Sequence, residues 1–410
     1  MTTIKLDPGA ALLLDALHGA GHAAYAVGGC VRDSLLGQAP HDWDLCTSAR
    51  PEQVMALFGE EKCIPTGLQH GTVTVKQGGR LYETTTFRIE GAYSDGRHPD
   101  AVHFVPDVRE DLARRDFTIN AMAYSAEEGL IDPFGGRGDL AAHFVRAVGE
   151  PERRFEEDAL RILRLYRFAA RFGFSVDPAT GAAARALGPH LDCVSAERIQ
   201  EEMLKLLAAP APGRYLEPAV LAVILPELYP LEEPARFAES CRVIDRLAPG
   251  AENVPARLAA LLLPLGEEGT RKALRRLKCS NALTEETAVL VRETGTSGSA
   301  TDPAVSVRRL LGRYGLTAVE RLAALGAAGH PEQAADFAAR AELARQMEAD
   351  GVCCRIAQLA VNGRDLMAAG AKPGPGLRQL LEQLLEAVIT GQVPNEKQAL
   401  LAAAAQFSAS

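Results

Sequence analysis

The residues best suited to chemistry lie between Glu157 and Phe174, where one aspartate and several arginines alternate with apolar side chains. The segment has no proline and a single glycine, Gly173, near its end, which predicts one helix that closes there. Asp158 and Arg161 are three residues apart, so they would share a face of this helix. The Asp158 carboxylate accepts hydrogen bonds and the Arg161 guanidinium donates them. This pair matches the amino group and the unprotonated ring nitrogen of cytosine or adenine, whereas uracil and guanine present the reverse pattern.

Two further arginines, Arg164 and Arg167, continue at the same interval, while the other side of the predicted helix is apolar. A helix with so much apolar surface is expected to be well buried, and a buried arginine needs an anionic or acceptor partner. These arginines could complete a base pocket or bind phosphate. An ordinary ion pair on a solvated helix face is the alternative, and for an isolated pair it is the commoner case.

A second candidate is the pair Asp42 and Asp44, in the run H-D-W-D-L. On a strand, alternate residues point to one face, so the two carboxylates would lie side by side. Two carboxylates at such a short separation repel each other unless a cation lies between them. Mg²⁺ prefers oxygen ligands of this kind. Glu83, on a later predicted strand, could add a third carboxylate or simply face water. The alternative for the aspartate pair is a solvated edge strand.

Phosphate-binding geometry is predicted where a short apolar strand, Ala24 to Val27, runs into a glycine pair and then a helix. Backbone N–H groups can approach a phosphate at such a junction, and Arg32 adds positive charge, although a plain turn has the same pattern. Farther along the chain, Arg115 could meet phosphate, and Asp116 with Asn120 could meet ribose hydroxyls.

Other segments predict the elements around these residues. Alternation from Gly71 to Lys76 and from Arg80 to Phe87 indicates a hairpin that turns at Gly78-Gly79. The stretch from Arg88 to His103, rich in Gly, Asp and Pro, predicts a mobile loop near the site. After residue 195 the sequence is typical of amphipathic helices separated by Pro and Gly.

Composition limits the class of protein. The chain has 410 residues and a net charge of −9, so a nucleic-acid binder of this kind must concentrate its basic residues on one surface. No apolar run is long enough to span a bilayer, and no signal peptide is predicted. The eight cysteines lack paired C-x-x-C spacing, which predicts reduced thiols in a cytoplasmic protein without a membrane partner.

Six short motifs occur together, in one order, over the first half of the chain. They are G-G-x-V-R-D at 28–33, D-x-D at 42–44, R-R-D-x-x-x-N-A at 114–121, D-P-x-x-G at 132–136, E-D-x-x-R at 157–161 and S-A-E-R-I at 195–199. Each motif is weak alone, whereas six in this order are specific. Together they resemble the class II tRNA nucleotidyltransferases, the CCA-adding enzymes and bacterial poly(A) polymerases.

The resemblance implies an α+β fold, with a small mixed-sheet nucleotidyltransferase head domain followed by an all-α neck, body and tail. We expect the head at 1–140, a neck that recognises the base at 141–205, an RNA-binding body at 206–330 and a tRNA-binding tail at 331–410. Some members carry a His-Asp phosphohydrolase domain after the neck. Beyond His190 this chain has only His330, too few histidines to supply the metal ligands of that domain.

The resemblance also implies roles for particular residues. Asp42 and Asp44 would be catalytic and hold two Mg²⁺ ions, and Asp158 with Arg161 would select C and A. The remaining nucleotide-binding residues implied or predicted are Gly29, Arg32, Arg115, Asp116, Asn120, Arg164 and Arg167.

The reaction implied is the addition of C, C and A from CTP and ATP to the 3′ end of tRNA, with contacts along its acceptor and T arms. A-only addition and poly(A) synthesis are alternatives within the family, and a non-catalytic RNA-binding protein is an alternative outside it. A CC-only enzyme is disfavoured because the loop from Arg88 to His103 has the full length. A nucleotidyltransferase acting on small molecules would leave the long helical second half unexplained.

Overall fold

The computed structural model of this protein describes residues 3–91, 102–229, 234–296 and 302–407. The chain divides into two compact units, Met1–Pro230 and Leu231–Ser410. Within the described ranges, no helix combines the length and the apolar character needed to cross a lipid bilayer.

The first unit is built on a mixed sheet. Its strands are β1 (Ala24–Val27), β2 (Leu45–Thr47), β3 (Cys63–Gly67), β4 (Thr72–Gln77), β5 (Arg80–Thr86), β6 (Arg88–Glu90), β7 (Val102–Phe104), β8 (Ala123–Ser125), β9 (Gly129–Ile131), β10 (Phe144–Val145) and β11 (Ser175–Val176). Seven of them form one sheet in the order β3-β4-β5-β2-β1-β8-β9. The β2–β5 pair is parallel and the other pairs of this sheet are antiparallel. Strand β1 is buried along its whole length, as its unbroken apolar sequence predicts.

Helices flank this sheet and follow it in the chain. They are α1 (Pro8–Gly19), α2 (Gly29–Leu35), α3 (Pro51–Phe58), α4 (Val108–Ala113), α5 (Gly136–Ala142), α6 (Pro151–Glu157), α7 (Leu160–Phe172), α8 (Pro178–Ala186), α9 (Ala196–Leu207) and α10 (Pro218–Ile224). Tyr25, Phe87 and Leu112 belong to the buried cluster that joins β1 to the end of β5 and to α4. This packing fixes the ends of β1 and β2, where the predicted phosphate and metal residues lie.

The predicted hairpin is confirmed as β4 and β5. Gly78 and Gly79, the two residues between the strands, have φ of 57° and 79°, and a two-residue turn with both φ values positive matches the twist of the strands it joins. The predicted loop from Arg88 to His103 begins as β6, which pairs antiparallel with β7. Its residues 92–101 lie outside the described residues.

The single helix predicted from Glu157 to Phe174 is wrong at its start. Helix α6 ends at Glu157, and Asp158 has an extended backbone with φ −150° and ψ 103° before α7 begins at Leu160. The Asp158 carboxylate accepts the Leu160 N–H at 3.1 Å, a local bond that competes with helix continuation. The predicted end is confirmed, because Gly173 closes α7 in the left-handed conformation at φ 69°.

The second unit is helical throughout its described residues. Its helices are α11 (Pro234–Arg246), α12 (Val254–Leu262), α13 (Gly266–Arg276), α14 (Asn281–Thr296), α15 (Pro303–Tyr314), α16 (Leu316–Gly329), α17 (Ala334–Ala349), α18 (Gly363–Ala368), α19 (Pro375–Ile389) and α20 (Lys397–Phe407). One cluster around Leu311 and Val319 lies beneath α15–α17, and another around Leu384 and Leu400 joins α19 to α20. A mixed sheet followed by helices confirms the fold class that the resemblance implied.

Candidate active site

A cavity of about 590 Å³ opens within the first unit, and the predicted site residues converge on it. Asp44 and all nine predicted nucleotide-binding residues line it, whereas Asp42 does not. The full lining is Gly28, Gly29, Arg32, Asp44, His70, Arg88, Arg114, Arg115, Asp116, Asn120, Asp158, Leu160, Arg161, Arg164, Arg167, Phe168, Arg171 and Arg198. Nine arginines against three aspartates make this a strongly positive pocket in a chain of negative net charge, suited to a polyanion.

The two predicted metal ligands come directly before β2 and not on a strand, so that part of the prediction is wrong. The Asp44 carbonyl accepts the Val27 N–H at 3.0 Å, which ties this residue to the end of β1. Asp42 lies at the surface, and its carboxylate is 2.9 Å from Nδ1 of the exposed His41. The structure therefore brings one of the two aspartates into the cavity.

Glu83 lies beside Asp44 because β2 and β5 are parallel and pair Leu45 with Thr84, one residue after each acid. Surrounding protein and the nearby charges of Glu83 and Asp42 raise the pKa of Asp44, while Arg115 opposes the rise. Asp44 is solvent-accessible inside the cavity although protein surrounds it. Uncompensated negative charge of this kind favours a cation nearby, yet among the described side chains no three His, Cys, Asp or Glu converge closely enough to hold one.

The glycine pair and Arg32 line the cavity. Gly28 has φ 75°, and a Cβ there would come within 3.0 Å of an Arg115 guanidinium nitrogen, so glycine lets this arginine approach the backbone. Arg32 is 3% exposed. It donates from Nε to Asp33 at 2.8 Å and from Nη1 to the side-chain oxygen of Asn120. We infer that Arg32 shapes the pocket through these bonds as well as through its charge.

Asp116 is a buried carboxylate that lines the cavity. It is 7% exposed and accepts two hydrogen bonds from Arg164, at 3.0 and 2.6 Å, and one from Asn120 at 3.1 Å. Burial raises the pKa of this carboxyl, but Arg164 and the hydrogen bonds outweigh it and lower the pKa to about 2. The ion pair joins the end of the sheet domain to α7 across 48 residues of sequence.

We expect Asp116→Asn to destabilise the protein by about 3 kcal/mol, because breaking a buried pair leaves the partner charge uncompensated. The folded pKa lies below the ordinary 3.8, so the stabilisation is complete above about pH 4 and is lost as the pH falls towards 2. Urea unfolding at pH 7 and at pH 3 measures both effects. The difference between wild type and variant should shrink at pH 3. An equal difference at both pH values would contradict the assignment.

Asp158 and Arg161 both line the cavity but hold different protein partners. Arg198 donates to both oxygens of Asp158, at 3.3 and 2.8 Å. Arg161 donates to Glu157 at 2.8 Å and to the backbone oxygen of Arg114 at 3.1 Å. Because Asp158 precedes α7, the two do not share a helix face as predicted. Carboxylate and guanidinium still have capacity for a ligand, since the first accepts about four bonds and the second donates five.

Glu202 on α9 organises the other two predicted arginines of α7. Its carboxylate is 5% exposed and lies 2.5 Å from Arg167 and 3.7 Å from Arg164. Glu202 thus holds two arginines of the cavity from behind, as Arg198 holds Asp158.

Four ionisable lining residues were not predicted from the sequence: His70, Arg88, Arg114 and Arg171. Arg171 could have been found, because it continues the arginine stripe of α7 four residues after Arg167; it lies 3.3 Å from Asp33. Arg114 sits within a quoted motif but was given no role, and it donates to Asp111 at 2.8 Å. His70 and Arg88 lie at the two ends of the hairpin, and no spacing in the sequence marks them.

Three family models match successive parts of the chain. "Poly A polymerase head domain" matches residues 24–146. "Probable RNA and SrmB- binding site of polymerase A" matches 173–231, and "tRNA nucleotidyltransferase domain 2 putative" matches 252–404. The first ten lining residues of the cavity, from Gly28 to Asn120, fall within the head-domain match, and the other eight lie beyond its end.

Curated relatives match almost the entire chain. The CCA-adding enzyme of Limosilactobacillus fermentum is 37% identical over 400 residues, covering 96% of each chain. That of Lactobacillus delbrueckii subsp. bulgaricus is 39% identical over 388 residues, covering 95% of each. The crystal structure of the Bacillus stearothermophilus CCA-adding enzyme in complex with CTP superposes with a TM-score of 0.79 at 32% identity, covering 98% of each chain. Identity of this extent shows common descent, and the chain belongs to the family of CCA-adding enzymes, which are tRNA nucleotidyltransferases.

Proposed function

We propose that this protein adds C, C and A in turn to the 3′ end of tRNA, using CTP and ATP and releasing pyrophosphate. One observation carries the proposal: Asp44 and the base-reading candidates Asp158 and Arg161 line the same arginine-rich cavity. A single nucleotide could therefore contact both. The crystallised relative with bound CTP supports a nucleotide as the ligand.

Base selection in this proposal rests on polar groups that are held before the substrate arrives. Arg198 orients Asp158, and Glu157 orients Arg161, so neither side chain has to be ordered when the nucleotide binds. Asp158 accepts from the exocyclic amino group of cytosine or adenine, and Arg161 donates to the adjacent ring nitrogen. Uracil presents a carbonyl to the carboxylate and an N–H to the guanidinium, which leaves both protein groups unsatisfied.

In this proposal, other arginines of the cavity bind the triphosphate. Arg115, close to the glycine pair, and Arg164 and Arg167 on α7 face the same space. Guanidinium groups bind phosphate oxygens through paired hydrogen bonds. Asp116 already accepts from Arg164 and Asn120, so we infer that it positions these side chains near the ribose and phosphate.

Nucleotidyltransferases of this family generally use divalent metals, and the acidic groups here fit one. Asp44 has a raised pKa and two neighbouring carboxylates, Glu83 and Asp42, and hard oxygen donors suit Mg²⁺. We infer that Asp42 and Asp44 hold two ions. When bound, Mg²⁺ lowers the pKa of the attacking 3′-hydroxyl and offsets the charge of the departing pyrophosphate. Asp42 is exposed, and its described ion pair is with the also exposed His41, so no buried partner fixes its carboxylate.

The RNA itself would be held through its phosphate backbone and shape. Exposed basic residues cluster at the end of α13, at Lys272, Arg275, Arg276 and Lys278. Such a cluster can follow the backbone of the acceptor and T arms without reading sequence. This assignment of the body and tail to tRNA binding remains a prediction.

The decisive test uses tRNAs that lack their last three, two or one nucleotides, each incubated with CTP, with ATP and with both. We expect C incorporation on the two shorter RNAs with CTP, one A after the second C, and then arrest. Incorporation of A alone would indicate an A-adding enzyme, and a long run of A would indicate a poly(A) polymerase. Binding of tRNA with no incorporation of either nucleotide would indicate the non-catalytic alternative.

Glu202→Gln tests how the arginines are positioned. Removing the charge that holds Arg164 and Arg167 is expected to raise KM for CTP and ATP alike by about tenfold, since both nucleotides share the triphosphate. Steady-state kinetics on a tRNA lacking its terminal nucleotides measures the change. Glu201→Gln is the matched control, because Glu201 is exposed on the same helix and pairs with Lys205. A selective effect on one nucleotide would contradict the assignment.

A further inference from the structure

A second cavity, of about 330 Å³, lies in the first unit and shares no lining residue with the candidate active site. It is formed by α7, β11, α8 and the segment that leads into α10, and it is lined by Tyr166, Ser175, Val176, Gly181, Arg185, Arg214, Tyr215, Leu216, Glu217 and Pro218. Its volume is within the range of small-ligand pockets.

The most informative residue here is Tyr166. Its side chain belongs to a residue only 5% exposed, and its hydroxyl has no hydrogen-bond partner among the described residues. A buried hydroxyl almost always has a partner, because leaving one unsatisfied is unfavourable. Tyr166 lines the same cavity as the charged side chains of Arg185 and Glu217.

The charged side chains of this cavity make only weak ion-pair contacts with one another. Arg185 and Glu217 are 3.8 Å apart, at the long end of an ion pair. Arg214 lies over the ring of Tyr215 at 4.9 Å, and in the described part of the chain no carboxylate lies within ion-pair distance of it. Gly181 keeps the floor open, because a Cβ there would approach Val176 to 3.2 Å and an Arg185 nitrogen to 3.6 Å.

We propose that this cavity binds one ribonucleotide unit, with its phosphate on Arg185 and Arg214 and its ribose hydroxyls on Glu217 and Tyr166. Two guanidinium groups suit a phosphate. A carboxylate would repel a second phosphate but accepts hydrogen bonds from vicinal hydroxyls, so the mixed charge favours a sugar phosphate over a bare polyanion. The unit can belong to a free nucleotide or to an RNA chain.

This inference goes beyond nucleotide addition at the first cavity and is tested by binding alone. The test is calorimetric titration of the full-length protein with two probes. Ribose 5-phosphate represents a free nucleotide, and a tRNA lacking its last three nucleotides represents a nucleotide within RNA. We expect Tyr166→Phe to weaken binding about fivefold and Arg214→Gln about tenfold or more, as losses of a neutral and a charged hydrogen bond. Arg137→Gln, at an exposed arginine of α5, is the matched control.

The pattern over the two probes identifies the source of the unit. Weaker binding of ribose 5-phosphate supports a free nucleotide, and weaker binding of the tRNA alone supports a segment of RNA. Tyr166→Phe should unfold at the same urea concentration as wild type or at a higher one, because its hydroxyl has no described protein partner to lose and is unfavourably buried. If both variants bind both probes as tightly as wild type and Arg137→Gln, the proposal is overturned.

Discussion

Asp44→Asn is expected to reduce incorporation from both CTP and ATP by at least about a thousandfold, the scale for losing a group that stabilises charge in the transition state. Of the two aspartates Asp42 and Asp44, Asp44 is the one that lines the cavity. Removing its charge removes a predicted metal ligand, so the loss should not depend on which base is added. Single-turnover incorporation on tRNAs lacking two nucleotides or one measures the effect.

The same substitution should leave the fold intact or stabilise it. Burial and the neighbouring carboxylates raise the pKa of Asp44, which means that its ionised form is unfavourable in the folded protein at neutral pH. A neutral Asn relieves that repulsion. Asp15→Asn, at an exposed aspartate of α1, is the matched control and should leave incorporation unchanged. An Asp44→Asn enzyme that retains a tenth of wild-type activity would rule out the catalytic assignment.

Arg161→Ala is expected to lower discrimination of CTP against UTP by about a hundredfold while some transfer survives. The variant lacks the guanidinium that donates to the cytosine ring nitrogen and that repels the N–H of uracil. A charged hydrogen bond of this kind is worth about a hundredfold in selectivity. The triphosphate arginines remain, so catalysis continues at a reduced rate. The ratio of kcat/KM for the two nucleotides measures the effect.

Arg153→Ala is the matched control for this prediction. Arg153 is 72% exposed and pairs with the same glutamate, Glu157, at 3.4 Å. Its loss changes the charge near Glu157 but removes no group that lines the cavity, so base choice should stay as in wild type. Equal selectivity in wild type and Arg161→Ala would show that the base is read elsewhere.

Local features of this fold could be predicted because short stretches of sequence specify them. Strand β1 matches its predicted bounds, and the glycine pair at 78–79 places the hairpin turn. Gly173 ends α7 where only a residue tolerant of positive φ fits. Seven of the nine nucleotide-binding candidates belong to the quoted motifs, Arg164 and Arg167 follow at helical spacing, and all nine line one cavity.

Predictions failed where a local pattern was taken to extend a helix or strand beyond its actual start. Propensity predicts Asp158 inside a helix, but its backbone is extended and its carboxylate accepts from the Leu160 N–H and from Arg198, 40 residues away. Asp42 and Asp44 were placed on a strand by alternation, but β2 is only three residues long and begins after them. In both cases the observed backbone differs from the predicted one, and this difference alters which groups each side chain can contact.

By itself the sequence determined which residues carry charge, where the chain turns and which segments are helical, because periodicity and turn chemistry act over a few residues. Only the tertiary structure decided the partners, such as Asp116 with Arg164 and Glu202 with Arg167. A buried charge must find an opposite charge within a few ångströms. Which one it finds depends on how strands and helices distant in sequence pack against one another.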